Sequence, residues 1–371
     1  MNSSSALKIA HIDTGLSLRG GQRQMLMLAQ GLRERGHDQV IVCIEGTPLE
    51  EQARREGFRV FVLPTHDPWH AFGIQLWRVQ LKAWAPHILH AHDGRGQTVA
   101  WLASLGFPVQ RVASRRVTFF PSDRWTYKLK YAYTCHAVIA VSENIRELSV
   151  QAGVPRERIS VIPDGIEIPA ELPGATERLR LRTSWQCGDD NFVVGLLGAS
   201  TAEKGQDTAL AAMALLSERF PEARMVLAGD EAANTPIKPP ADSDSKGARI
   251  LRLGAIEGPA NFFPGLDLFI MPSRAEGLGS SALWAMSYGL PVIATRVGGL
   301  PEIVMENETG WLIPPNSAQA LAEAILLASR DRAKLIEYGT RGRKQAEGFS
   351  AAIMVSRTEA LYRSLAKDLH P

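Results

Sequence analysis

Short apolar runs alternate with amphipathic stretches along the first half of the chain. The apolar runs have the length and composition of β-strands: LKIAHID, QVIVCI, RVFVLP, HILHAHD, RVAS and AVIAVS. The stretches between them, such as QRQMLMLAQGLRERG and SENIRELSVQAG, place apolar residues at helical spacing. Strands that alternate with helices in this way predict a parallel sheet covered by helices on both faces.

The second half of the chain repeats this scheme. Its predicted strands are NFVVGLLGAS, RMVLAGD, RILRLGAI, LDLFIMPS and PVIATRV, and its predicted helices include QDTALAAMALLSERF, SSALWAMSYG and AQALAEAILLASR. Between the halves, Pro163, Pro169 and Pro173 interrupt the pattern and predict a linker near residues 166–190. From Ser350 onward the chain is amphipathic and helical. We therefore expect two α/β domains followed by a terminal helix.

Composition and charge narrow the class of protein. Of the 371 residues, 45% are hydrophobic and 22% are charged, which is ordinary for a globular enzyme. The formal net charge of +2 does not indicate a nucleic-acid-binding protein. Cys43, Cys135 and Cys187 lie far apart, which favours a reducing, cytoplasmic setting over a disulfide or metal framework. Since no run of about 18 apolar residues occurs, we expect no transmembrane helix.

The most informative stretch is residues 273–304, SRAEGLGSSALWAMSYGLPVIATRVGGLPEIV. It follows an apolar strand and has the pattern of a glycine-rich turn, a helix, a strand and a second glycine-rich turn. Glu276 lies in the first turn, where a carboxylate can accept hydrogen bonds from sugar hydroxyls. Gly277 and Gly279 let the backbone approach a ligand closely, and the N–H groups that open the next helix favour an anion. The stretch therefore predicts a site for a phosphorylated ligand.

The order and spacing of these motifs resemble the retaining glycosyltransferases of family 4, from Ile9 to about Tyr362. The resemblance implies the GT-B fold, in which two Rossmann-like parallel-sheet domains of the α/β class face a central cleft. It implies that residues 1–168 bind the acceptor and that residues 169–348 bind the nucleotide sugar. It also implies that a C-terminal helix in 349–371 packs back toward the first domain.

Glu276 resembles the first acid of the family's E-x7-E pair, whose role is to bind the donor sugar. The second acid, which holds the ribose hydroxyls in the family, is replaced by Trp284. An indole has only a hydrogen-bond donor, so it cannot accept those hydrogen bonds. Trp284 either packs against the ribose or a neighbouring helix, or is simply part of the core.

Lys204 matches the family's KG motif, in which the ammonium neutralises the departing diphosphate. The arginine that usually stands five residues earlier is Ala199 here, so half of the expected cationic pair is missing. The turn of Gly277, Leu278, Gly279 and Ser280 is expected to contact the donor. Gly229 resembles a turn near the nucleotide base, although many α/β turns look the same.

Gly20 and Gly21 follow the first strand and open a helix, as the family's glycine loop does beside the donor diphosphate; the alternative is an ordinary loop. His92 matches the family histidine that lies beside the transferred sugar and the reacting centre. His90 is interpreted as structural. The alternative is a pair of hydrogen-bonded histidines at a strand end, and a zinc site lacks further ligands at suitable spacing, so no metal is expected.

Two further segments carry recognisable patterns. Residues 115–130, RRVTFFPSDRWTYKLK, combine basic and aromatic side chains, which suits an anionic membrane surface, an acceptor cleft or a partly buried segment. Asp242, Ser243 and Asp244 form a DxD triplet inside the polar, proline-rich stretch 231–248, and we interpret it as surface rather than as a metal site.

Together with this resemblance, these observations predict a hexosyltransferase-type enzyme that moves a sugar from a nucleotide-diphosphate sugar to an acceptor hydroxyl, and the resemblance implies retention. A UDP-sugar is the favoured donor, and no cofactor is expected. The acceptor is expected to be a glycan or a lipid-linked glycan in cell-envelope, lipopolysaccharide or glycolipid synthesis. The enzyme would be cytoplasmic, with peripheral contact to the inner face of an anionic membrane. Two alternatives stay open. One is a sugar-nucleotide epimerase of the same fold, and the other is a non-catalytic nucleotide-sugar or glycan-binding protein, which remains open because of the departures at Ala199 and Trp284.

Overall fold

The computed structural model describes residues 6–64, 71–118, 129–229, 250–367 and 369. The polar stretch around Asp242 and the larger part of the basic, aromatic segment 115–130 lie outside the described residues. The chain divides into two compact units. The first unit consists of Met1–Gly165 and Ala351–Pro371, and the second consists of Ile166–Ser350.

The first unit is built on a parallel sheet of strand order β3-β2-β1-β4-β5-β6-β7. Its strands are β1 Lys8–Ile12, β2 Asp38–Ile44, β3 Arg59–Leu63, β4 Ile88–Ala91, β5 Gln110–Arg115, β6 Ala137–Ala140 and β7 Ile159–Val161. The helices in its first segment are α1 Gly20–Glu34, α2 Pro48–Arg55, α3 Ala71–Trp84, α4 Gly94–Ala103 and α5 Glu143–Gln151, with a π-helical turn at Leu129–Tyr133 and a 3-10 turn at Arg156–Arg158. The order reverses between β1 and β4, and the carboxyl ends of strands at such a reversal are where open α/β sheets bind ligands.

The second unit has a parallel sheet of order β10-β9-β8-β11-β12-β13. Its strands are β8 Phe192–Leu197, β9 Ala223–Ala228, β10 Ile250–Arg252, β11 Leu268–Met271, β12 Val292–Thr295 and β13 Gly310–Ile313. Its helices are α6 Ala175–Ser184, α7 Gln206–Leu215, α8 Ser280–Ser287, α9 Leu300–Ile303, α10 Ala318–Ser329 and α11 Arg332–Glu347, with 3-10 turns at Ala202–Lys204, Pro259–Asn261 and Phe263–Gly265. Here the order reverses between β8 and β11.

The last helix, α12 Ala351–Lys367, packs against α1 within the first unit. Its Met354, Val355 and Tyr362 are buried in one apolar cluster with residues of β1 and α1. The helices approach so closely that a Cβ on Gly31 would lie 2.5 Å from Val355 Cγ2. The first unit therefore obtains part of its core from the end of the chain.

The predicted linker near residues 166–190 is wrong over α6. The sequence ATERLRLRTS is rich in arginine and reads as polar, yet Leu181 and Arg182 are buried. The Arg182 guanidinium pairs with Asp267, and its Nε donates to the carbonyl of Gly265 at 3.1 Å. A buried arginine with matched acceptors is what allows so charged a segment to fold as a packed helix.

Strands β7 and β13 were not anticipated from the sequence, because the ISV and GWLI runs are short. In the described part of the chain, no helix combines the length and apolar character that crossing a bilayer requires.

Candidate functional site

In the second unit, Lys204 and Glu276 meet at the carboxyl edge of the sheet. Lys204 ends the 3-10 turn after β8, and Glu276 lies in the loop after β11, so the two loops flank the reversal of strand order. Lys204 Nζ lies 2.6 Å from Glu276 Oε2, and Ser273 Oγ donates to the same oxygen at 3.3 Å. The two charged side chains are 27% and 13% exposed, which leaves both accessible to a ligand.

Two glycines with positive φ let neighbouring loops approach the loop after β11 closely. Gly205, with φ +64°, lies so close to β11 that a Cβ would be 2.0 Å from the carbonyl oxygen of Pro272. Gly298, with φ +54°, packs on Glu276 itself, where a Cβ would lie 1.7 Å from the Glu276 carbonyl oxygen. Gly299 N–H donates to that same oxygen at 3.3 Å. Only glycine satisfies both the backbone conformation and the close approach at these positions.

Residues Gly277 to Ser280 form the turn that opens α8. Gly279 is the N-cap of this helix with φ +105°, and no side chain caps the first helical turn. Leu278 is buried, which anchors the turn to the core. The first-turn N–H groups of α8 and the helix dipole together favour an anion at this end of the helix.

Trp284 lies one turn further along α8 and is half-buried, between the buried Leu283 and Ala285. The interpretation as an ordinary core residue therefore holds for only part of the indole. Gly229 follows β9 with φ +130° and packs against the carbonyl oxygen of Gly198, where a Cβ would be 2.2 Å away. Gly229 thus supports the loop that contains Ala199.

Arg274 forms hydrogen bonds that hold the Lys204 loop, and it was not identified from the sequence. Its backbone N–H donates to Glu203 O at 2.7 Å, and its guanidinium donates to Ala202 O at 2.6 Å and to Asp207 Oδ2 at 2.5 Å. The only signal in the sequence was a cation two residues before Glu276.

In the first unit, Gly20 and Gly21 are the first residues of α1. A Cβ on either would meet nothing within 4 Å among the described residues. The first turn of α1 has no acidic side chain, and Arg19 is its N-cap residue. The start of α1 is therefore open and electrostatically suited to an anion.

His92 immediately follows β4 and belongs to a buried group of three histidines with His11 and His90. His92 Nε2 lies 3.1 Å from His11 Nδ1, and its ring centroid lies 3.9 Å from that of His90. His90 Nδ1 lies 2.5 Å from the Tyr362 hydroxyl and its Nε2 lies 2.8 Å from Ser114 Oγ. His11 was not identified from the sequence, although it stands opposite His90 in the β1–β4 pairing.

Burial keeps these imidazoles neutral. It lowers the pKa of His11 to about 4, against a weaker opposing effect of the hydrogen bond with Gln39. It also lowers the pKa of His92 well below its usual value, and the neighbouring His90 and Arg116 lower it further. The pKa of His90 is likewise well below its usual value, chiefly because of burial. A neutral imidazole offers one acceptor and one donor nitrogen.

Three close imidazoles are also a potential set of metal ligands. Each ring nitrogen already has a hydrogen-bond partner, however: His11 contacts His92 and Gln39, His90 contacts Tyr362 and Ser114, and His92 contacts His11 and Arg116. A metal would displace several of these contacts beside a guanidinium cation, which opposes its binding.

Two acids lie beside this histidine group. Asp13 accepts hydrogen bonds from Gly15 N–H at 2.8 Å and Gln22 Nε2 at 2.9 Å. Burial, with the nearby charge of Asp93, raises the pKa of Asp13 to about 6. Asp93 caps α4 and also accepts from Thr14, so it fixes the loop after β1 rather than remaining free for a ligand.

Comparison with known proteins identifies both halves of the chain. Residues 178–345 match the family described as Glycosyl transferases group 1, and residues 18–168 match Glycosyltransferase Family 4. The chain is 23% identical over 239 residues to the capsular polysaccharide biosynthesis glycosyltransferase CapM of Staphylococcus aureus, a match that covers 62% of each protein. Two further curated relatives are matched over 57% and 56% of their lengths, so the chain spans less than two thirds of these proteins.

A longer alignment relates the chain to a GDP-mannose-dependent alpha-(1-6)-phosphatidylinositol monomannoside mannosyltransferase of Mycolicibacterium smegmatis. The two are 27% identical over 357 residues, which is 88% of this chain and 90% of the relative. Among solved structures, HepE of Anabaena in complex with UDP-glucose superposes with a TM-score of 0.83 at 21% identity, over 96% of this chain and 99% of that one. The two halves of the chain thus match glycosyltransferase domains of the group 1 and family 4 types, and the chain has the two parallel-sheet, Rossmann-like domains of the GT-B fold.

Proposed function

We propose that this protein transfers a sugar from a UDP-sugar to an acceptor hydroxyl with retention of configuration. The observation that carries the proposal is the Lys204–Glu276 pair beside the N-terminus of α8, which no side chain caps. It places a cation, an acid and a set of backbone N–H groups at one end of the second sheet. These are the three elements that a diphosphate linked to a sugar requires. The structural relative that binds UDP-glucose supports UDP as the carrier.

In this proposal the Lys204 ammonium and the N-terminus of α8 stabilise the departing diphosphate, where negative charge accumulates in the transition state. Glu276 accepts hydrogen bonds from hydroxyls of the transferred sugar. Lys204 and Glu276 neutralise each other in the structure, so neither charge is left uncompensated. A bound diphosphate replaces part of the carboxylate's role as partner of Lys204 and frees Glu276 for the sugar.

Retention in this scheme follows from attack on the face that the diphosphate leaves. The bond between the anomeric carbon and the phosphate oxygen breaks while the bond to the acceptor oxygen forms on the same face. The acceptor proton passes to the departing phosphate oxygen, so the reaction requires no enzyme nucleophile. We also propose that His92 contacts a ligand hydroxyl and that the N–H groups at Gly20 and Gly21 bind an anion in the first unit.

The acceptor side of the proposal rests on relatives of this chain. Curated relatives act in capsular polysaccharide and phosphatidylinositol mannoside synthesis by name, which supports a glycan or lipid-linked acceptor of the cell envelope. We assign the acceptor to the first unit and the nucleotide sugar to the second. Work at the cytoplasmic face of an anionic membrane, with contact through the basic segment 115–130, belongs to the same proposal.

Transfer is tested with the intact protein, a panel of UDP-sugars and candidate glycan acceptors, with release of UDP as the signal. Glu276→Ala is expected to abolish transfer without changing the thermal unfolding temperature, whereas Glu257→Ala, an exposed acid of the same unit, is expected to change neither. The anomeric configuration of the product, determined by NMR, tests retention. Unchanged turnover in Glu276→Ala contradicts the assigned role of Glu276.

A second candidate function is supported by Ala199 and Trp284, which replace a cation and an acid of the family pattern. A protein with a weakened donor site would bind a nucleotide sugar without turning it over. Calorimetric binding of a UDP-sugar without transfer to any acceptor would favour this binding protein. Conversion of the UDP-sugar in the absence of an acceptor would instead favour an epimerase.

A further inference from the structure

A line of hydrogen bonds connects His92 to the interior of the first sheet. His11 on β1 is opposite His90 on β4, and Gln39 on β2 is opposite Ile9, two residues before His11. Residues two apart on a strand share a face, so Gln39 and His11 point to the same side of the sheet. The line runs from Ala29 in α1 through Gln39 and His11 to His92.

The chemistry at the inner end fixes where the hydrogens are. The carbonyl oxygen of Ala29 can only accept, so the nitrogen of the Gln39 amide faces it, at 2.9 Å. The amide oxygen of Gln39 therefore faces His11 Nε2, also at 2.9 Å, and that nitrogen must carry the hydrogen. Because His11 is neutral, its Nδ1 has no hydrogen and accepts from His92 Nε2.

The contact at the other end of this line of hydrogen bonds, between His92 and Arg116, agrees with these hydrogen positions. Arg116 can only donate, and its Nη1 lies 3.4 Å from His92 Nδ1. Its Nε donates to Asp164 Oδ1 at 2.9 Å, which orients the guanidinium. His92 Nδ1 is therefore an acceptor, and its contact with Arg116 is long enough for a stronger donor to replace it.

We infer that His11 and Gln39 are positioning residues that hold His92 in the tautomer with hydrogen on Nε2, so that Nδ1 accepts a hydrogen bond from a ligand hydroxyl. Assigning that hydroxyl to a sugar rests on the proposed function. A phosphate oxygen does not fit this atom, because two acceptors would face each other. His92 thus distinguishes a hydroxyl-bearing part of the ligand from its phosphates.

His90 is the natural comparison within the same cluster. Both of its partners, the hydroxyls of Tyr362 and Ser114, can donate or accept. Its tautomer is therefore not set by its contacts, although it is as deeply buried as His11. Ser114→Ala removes a buried hydrogen bond from the cluster without touching the line through His11.

Nitrogen NMR of the full chain labelled with 15N-histidine tests the tautomer directly. We expect His92, assigned by its loss in His92→Gln, to show a protonated Nε2 and an unprotonated Nδ1. Gln39→Met removes the acceptor for His11 and is expected to shift the His92 ring signals toward a tautomer mixture, whereas Ser114→Ala leaves them in place. A protonated Nδ1 in the unaltered protein overturns the inference, as does an unchanged His92 tautomer in Gln39→Met.

Kinetics supply the second readout, as release of UDP from UDP-glucose or from another UDP-sugar that the intact protein consumes. In His11→Leu we expect kcat to fall about tenfold, as for the loss of one well-placed hydrogen bond, with little change in the donor KM. His11→Asn, whose side-chain oxygen can stand near the position of Nδ1, should recover most of that rate. Equal losses in both variants would assign His11 a purely structural role.

The two readouts separate this inference from the proposed function. A fixed His92 tautomer in a protein without transfer activity leaves the line of hydrogen bonds standing and rejects the transferase proposal. Activity with a tautomer that does not depend on Gln39 does the reverse. Tight binding of Zn²⁺ with loss of all three histidine signals would show a metal site and overturn the inference.

Discussion

The two units hold their candidate residues by different physical means. In the first unit, His92 lies in a buried network of neutral imidazoles and an amide, where the hydrogen-bond partners set the positions of the hydrogens. In the second, Lys204 and Glu276 form a partly exposed ion pair on loops that glycines allow to approach closely. A buried neutral network is disrupted by protonation and by loss of any hydrogen-bond partner. An ion pair on closely approaching loops is disrupted by loss of a charge and by changes in backbone conformation. The two sites are therefore expected to fail under different changes.

The largest effect is expected from removal of the Lys204 charge. Lys204→Met should lower kcat/KM about 10²- to 10³-fold, because it removes a charged donor from the departing diphosphate. Lys204→Arg keeps the charge and should retain more activity. Stability should hardly change in either variant, since a partly exposed pair contributes about 1 kcal/mol or less. Loss of activity that simply follows loss of thermal stability would contradict this assignment.

The next largest effect is expected at the glycines that allow the loops of the second unit to approach closely, Gly205 and Gly298. Gly298→Ala should lower the free energy of unfolding of the second unit by about 2 to 4 kcal/mol, because its Cβ cannot fit against the carbonyl of Glu276 and the backbone has positive φ there. Denaturant unfolding measures this. Gly188→Ala is the matched control, since its Cβ would contact nothing within 4 Å and its φ is not positive. Equal stability of the two variants would show that the close approach at Gly298 is not required for stability.

A fall in pH is expected to destabilise the first unit more than the second. His11 has a pKa of about 4 in the folded protein and about 6.5 as its usual value, so the unfolded chain binds a proton first. Its contribution to stability is complete above pH 6.5 and is lost as the pH falls through 4, by about 1 to 3 kcal/mol. Amide exchange at pH 7 and pH 5, corrected for intrinsic rates, should show protection lost earlier around β1 and β4 than around β8 and β11. Parallel loss in both units would remove the contrast.

The smallest expected effect concerns donor affinity. Trp284→Glu restores an acceptor where the family pattern has one, and it should lower the Kd for UDP by a factor that corresponds to about 1 kcal/mol. Trp284→Phe keeps an aromatic ring without the acceptor and serves as the control. Calorimetry with UDP measures both. Weaker binding in Trp284→Glu than in Trp284→Phe would mean that an aromatic ring at this position contacts the donor.

The sequence predicted much of the fold, because buried parallel strands have a strong apolar signature and because glycines mark the ends of β1 and β11. Lys204 and Glu276 were identified for the same reason, as polar residues at fixed positions after strands. His11 and Arg274 were missed, since their importance comes from sheet register and from loops that approach in space. The helix α6 was missed because Arg182 reads as polar, and only the fold supplies its partner Asp267. Local pattern thus predicted elements and some site residues, whereas tertiary contacts decided how each is held.

The position of α12 also determines the order in which the protein can finish folding. The first unit is synthesised first, yet Tyr362, which contacts His90 and fills the core beside Ile9, is made after the whole second unit. The chain leaves the first unit at Gly165 and returns at Ala351, where a Cβ on Gly165 would lie 2.7 Å from the Ala351 Cα. Until α12 has been translated, the first unit therefore has an incomplete core, and His90 lacks the Tyr362 hydroxyl as a partner. Residues of α12 complete this core, so the histidine cluster becomes fully formed only in a chain that has been translated through α12.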